Sequence, residues 1–138
     1  MPNNLEVVHA YRHLLRAGLR AVQFSKPARF VVRDQLREGF REKKTPAGGA
    51  GGFDAGRVGR TVLFLRAAAR ETELEHRILK NLVRVAGERR RARLPWPLLL
   101  TKEGAARSKE PDRIKPTAYR HYEMTVAMLN HSMGLCLR

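Results

Sequence analysis

Histidine, cysteine and above all arginine are the residues with chemistry to offer in this sequence. His9 and His13 stand four apart, a spacing that stacks two imidazoles on one helix face and suits a shared metal ion. No third ligand accompanies them, and Arg12 and Arg16 bring positive charge beside both. Two partly exposed histidines is the simpler reading. Cys136 is the single cysteine, so an internal disulfide and a cysteine-only metal site are both excluded. With no base or nucleophile motif around it, it reads as a small apolar side chain. No two carboxylates stand out as an acid–base couple. The glycine-rich stretch at 45–52 is not followed by Gly-Lys-Ser/Thr and not preceded by a strand, so it lacks the pattern of a phosphate-cradling loop. The expectation is therefore no catalytic residue, no metal site and no enzyme. The chain is expected to act by binding.

The charge says what it binds. Twenty-eight Lys and Arg against 13 Asp and Glu leave a formal net charge of +15 in 138 residues. Such an excess repels itself unless an acidic partner compensates it: nucleic acid, an anionic membrane or an acidic protein. Most of the cations are arginine, whose planar fork grips phosphate and carboxylate in a bidentate way. The length suits one ordinary domain, and 43% hydrophobic residues argue against wholesale disorder. No apolar run approaches the roughly 20 residues that span a bilayer. The first twenty-odd residues are amphipathic and arginine-bearing, with Glu6 as their only acid. That is the composition of a mitochondrial targeting helix. Its good packing face makes it read as mature protein all the same.

The elements that must position these cations are helices. Leu5, Val8, Tyr11, Leu15, Gly18 or Leu19, and Val22 recur at three and four, predicting a helix over 4–24 with Asn3 or Asn4 as cap. Arg12, Arg16 and Arg20 make a basic stripe beside that face. A second helix is predicted over 28–43, with Val32, Leu36 and Phe40 on one face and a ladder of Arg29, Arg33, Arg37 and Arg41 beside it. After the linker at 45–52, a long third helix is predicted over 56–88. Its stripe runs through Val58, Val62, Leu65, Ala69, Thr72, Leu79, Leu82 or Val83, and Ala86. The basic run Arg89-Arg90-Arg91-Ala92-Arg93 follows. Pro95-Trp96-Pro97 cannot continue a helix, and 101–116 reads as an extended polar loop. Tyr119, Tyr122, Val126, Leu129 and Met133 predict a fourth helix of about five turns. No segment alternates as a strand does.

Ala10-Tyr11-Arg12 in the first helix, followed one loop later by Arg37-Glu38-Gly39-Phe40-Arg41, resembles the LYR-motif family of small mitochondrial three-helix proteins. Their first helix carries Leu-Tyr-Arg near its start. Their second carries an arginine and then Phe-Arg near its end. The resemblance covers roughly residues 5–88. Ala10 departs from the family's leucine, and the tail from Pro95 lies outside the match. The fold it implies is all-α: an LYR-type three-helix bundle over 1–88, and over 89–138 the basic run, an extended loop and the fourth helix.

The resemblance also implies a partner. LYR proteins bind the mitochondrial acyl carrier protein, whose acyl-phosphopantetheine chain threads between the LYR helices. Its acidic helix docks on basic side chains. Carried over, the docking residues are Tyr11, Arg12, Arg16, Arg37, Phe40, Arg41 and Lys44. Small residues such as Ala10, Ala17, Gly18 and Gly39 are expected to leave an apolar channel for the chain. The cofactor belongs to the partner, and the chain has none of its own. The expected place is the mitochondrial matrix. The expected role is adaptor, as subunit or assembly factor of the mitochondrial ribosome, because neutralising rRNA phosphate needs a large positive surplus. Arg89, Arg90, Arg91 and Arg93 are the expected nucleic-acid contacts. The alternatives are a respiratory-complex or iron–sulfur assembly factor of the LYR type, and a basic RNA-binding helical protein without an acyl partner.

Overall fold

The computed structural model describes residues 3–41, 53–92 and 119–138. Five helices carry these residues: α1 (Asn4–Ala21), α2 (Ala28–Arg41), α3 (Ala55–Arg70), α4 (Leu74–Ala92) and α5 (Arg120–Met133). No strand occurs among the described residues, so the class is all-α. The linker at 45–52, Lys44, Arg93 and the loop at 101–116 lie outside the described residues.

The expected long third helix is two helices. Arg70 ends α3, Glu71 turns extended at φ −128° and ψ 147°, and α4 begins at Leu74. Three acids stand at this break: Glu71 and Glu73 between the helices and Glu75 in the first turn of α4. There they suit the positive end of the α4 dipole. The reversal also uses His76, whose Nδ1 lies 3.2 Å from the Ala68 carbonyl. Ala68 is in the last turn of α3, where carbonyls have lost their own helical partners. At the other end of α3, the Asp54 carboxylate accepts from the Gly56 and Arg57 amides at 2.8 and 3.3 Å. α1 stops at Ala21, three residues before the expected end, because Gln23 and Phe24 turn left-handed at φ 53° and 54°.

Two helical hairpins pack side by side. Gly18 meets Val32 and Tyr11 meets Phe40, so α1 and α2 run antiparallel. Val31 meets Gly87 and, three residues on, Asp34 meets Arg90, so α2 and α4 run the same way. α1 packs on both α2 and α3, and α4 on both α3 and α2. The core holds Leu14, Ala17 and Ala21 of α1, Phe64, Leu65 and Ala68 of α3, Leu79 of α4, and Leu135 from beyond α5.

The buried face of α1 differs from the expected stripe. It is Ala10, Leu14, Ala17, Gly18 and Ala21, whereas Leu5 is 65% and Val8 44% exposed. Small side chains let the helices approach closely: a Cβ on Gly18 would stand 2.9 Å from Val32 Cγ1. The expected channel is therefore closed at that seam. Gly39 likewise faces the Arg138 side chain.

α5 returns to the bundle rather than projecting from it. Tyr122, Val126 and Leu129 are half-buried, and Leu135 completes the core. Asn130, itself buried, donates from Nδ2 to the Leu137 carbonyl at 2.7 Å and accepts the Leu137 amide at 2.9 Å. Buried Thr61 donates to the Arg57 carbonyl and accepts from the Cys136 amide. Met133, expected on the buried stripe of α5, is exposed.

Candidate functional site

Helix pairing brings together two aromatic residues that the resemblance singles out. Tyr11 on α1 and Phe40 on α2 meet edge-to-face, with ring centroids 5.3 Å apart and planes at 84°, a favourable aromatic geometry. Ala10, the residue before Tyr11, is buried. Arg12 and Arg16 are exposed on α1, and Arg37 and Arg41 are exposed on α2. None of these four pairs with a carboxylate among the described residues. Their guanidinium groups are free to receive an acidic surface.

Space lies on the other flank of α1. An open groove of about 610 Å³ runs along the seam with α3, lined among others by His9, Ala10, His13, Phe53, Val58 and Val62. The groove is open to solvent, and Glu6, His9, His13 and Arg66 border its apolar lining. Phe53 and the α3 residues carry no mark in the sequence that points to this groove, since it exists only once α1 and α3 lie side by side. His9 and His13 both border it. Among the described residues no group of three His, Cys, Asp or Glu is placed to hold a metal ion.

The arginine run divides its work. Arg89 turns to α5: Nη2 donates to Glu123 Oε1 at 2.9 Å, and the guanidinium lies 4.4 Å from the Tyr119 centroid and 5.7 Å from that of Tyr122. Burial pushes the Tyr122 hydroxyl above its ordinary pKa of 10.0, partly opposed by Arg89. Arg90 reaches Asp34 at 2.7 Å, and Arg91 is exposed. The run is one segment in sequence, yet Arg89 faces α5 while Arg90 and Arg91 lie toward α2.

No helix of the described residues is long and apolar enough to cross a membrane. The chain is similar to a UPF0593 mitochondrial protein of Schizosaccharomyces pombe, 39% identical over 89 residues that cover 63% of this chain and 67% of that protein. No protein-family model matches the chain, and no solved structure matches it.

Proposed function

The chain belongs to the UPF0593 family, and on that premise we propose that it is a non-enzymatic mitochondrial adaptor of the LYR type, which binds acylated acyl carrier protein in the matrix. Its relative is a mitochondrial protein, and the arginine-bearing α1 has the composition of a targeting helix. The observation that carries the reading is the Tyr11–Phe40 contact. It joins the two motif halves into one surface flanked by the exposed Arg12, Arg16, Arg37 and Arg41. An acidic helix fits such a surface by charge, which governs encounter rate and register. The α1–α3 groove, entered beside Ala10, is the apolar space that an acyl chain would occupy. The client that best explains a net charge of +15 is the mitochondrial ribosome, whose phosphates need such a surplus.

The test is co-purification with mitochondrial acyl carrier protein after Arg12→Glu and Arg41→Glu are combined. Both side chains are exposed, so helix content should stay unchanged while the carrier protein is lost from the eluate. Wild-type recovery of carrier protein by that variant would remove these arginines from the site.

A further inference from the structure

Across the bundle from the acyl groove, a second cleft gathers chemistry that the acyl carrier protein surface does not use. It lies between the start of α2 and the end of α4, where Pro27, Phe30 and Val31 face Gly87, Arg90 and Arg91 around about 240 Å³. Two guanidinium groups lie over the Phe30 ring, Arg29 at 4.7 Å and Arg33 at 5.3 Å from its centroid. Asp34 holds both Arg33, at 3.0 Å, and Arg90, at 2.7 Å. One carboxylate thus orients two cations without cancelling the patch: Arg29, Arg33, Arg90 and Arg91 against Asp34 give 4 − 1 = +3. Arg29 Nε is buried and has no hydrogen-bond partner. A donor withdrawn from water without an acceptor is destabilising, and a bound ligand that brings an acceptor removes that penalty.

Three properties of the cleft select among acidic ligands. Its volume admits a single planar ring system but not a helix, which is about 10 Å across with its side chains. Its wall includes the Phe30 ring, with the guanidinium groups of Arg29 and Arg33 stacked over that ring, and a planar guanidinium is itself a face on which a nucleobase stacks. Its rim offers the arginine forks that match phosphate. A duplex keeps its bases stacked on each other and cannot offer one. We propose that the cleft seats one nucleotide of a single-stranded RNA, with the base against Phe30 and the arginines stacked over it and the phosphate held by Arg90 and Arg91. This site goes beyond the acyl carrier protein reading and does not depend on it, since the two surfaces lie on different seams of the bundle.

The experiment is fluorescence anisotropy of the full chain with a single-stranded oligouridylate of about 12 nucleotides, within the site sizes usual for such binders. Arg29→Gln with Arg91→Gln should weaken binding about ten-fold or more. Arg70→Gln with Arg77→Gln removes the same charge from exposed positions away from the cleft and should weaken it less than about three-fold. Arg91→Gln alone, at an exposed side chain, should reproduce part of the cleft loss without touching the fold. Phe30→Leu should weaken RNA several-fold yet leave an abasic phosphodiester of equal length unaffected. Equal losses in the two double variants would overturn the site. So would abasic strand binding as tightly as RNA, or a cleft variant that loses a polyglutamate peptide while keeping RNA.

Discussion

Gly18 shows what a single residue decides here. Its absent side chain lets α1 settle on Val32 at a distance that no Cβ tolerates, and a β-branched valine in a helix has little rotamer freedom to give way. Gly18→Val should destabilise the protein by about 1–3 kcal/mol through overpacking, seen as a lower Tm, with the Tyr11–Phe40 contact disturbed as the hairpin opens. An unchanged Tm would show that the seam is slack. This residue also marks what the sequence conceals. The spacing of Leu5, Val8, Tyr11 and Leu15 suggests a core face of large side chains, yet the buried face is Ala10, Leu14, Ala17, Gly18 and Ala21. Periodicity identifies a helix on either set, but only packing selects the face, and here close approach favours alanine and glycine over leucine. Thr61 was equally silent: its hydroxyl is satisfied by Arg57 and by Cys136, 75 positions away, a partnership no local pattern announces.

Among the elements, α2 and α5 follow their patterns in part. On α2, Leu36 and Phe40 pack against the core and Val32 against Gly18, but the one buried residue of the helix is Val31, off the expected stripe, while Arg37 and Arg41 stay exposed. The break between α3 and α4 was not legible, because Thr72 continues the apolar stripe and neither glycine nor proline marks the turn. The signal was the run of alternating acids Glu71, Glu73 and Glu75, which suits a helix start better than a helix interior. For α5 the attachment rests on Arg89, with Glu123, Tyr119 and Tyr122 around it. Arg89→Ala should loosen α5 first, read as faster amide exchange in 120–133 while α1 and α3 keep their protection. Uniform protection in the variant would place the attachment elsewhere, in Asn130 and Leu135. The same contact predicts a pH response. Burial raises the Tyr122 pKa in the folded protein, so the unfolded chain ionises first. The contribution of neutral Tyr122 is intact below its unfolded pKa of about 10 and is lost as pH rises through the higher folded value. Tyr122→Phe should flatten stability above pH 10 relative to wild type.

At the scale of the whole molecule, two hairpins present two different surfaces. One carries the Tyr11–Phe40 junction, the free arginines and the groove along α1. The other carries the Phe30 cleft between α2 and α4. Composition alone raises the expectation of acidic partners, because +15 in 138 residues needs compensation. It did not show that the cations would be sorted, some bound to Asp34 and Glu123 within the fold and others left free for partners. That sorting depends on which residues meet across 34 or more positions of sequence. The proposed acyl carrier protein partnership is tested by purifying the full-length chain from mitochondria under gentle salt, with intact mass measurement of everything that elutes. The expected result is acyl carrier protein in near one-to-one amount, carrying acyl-phosphopantetheine. Recovery of the chain with its other partners but without acyl carrier protein would contradict it.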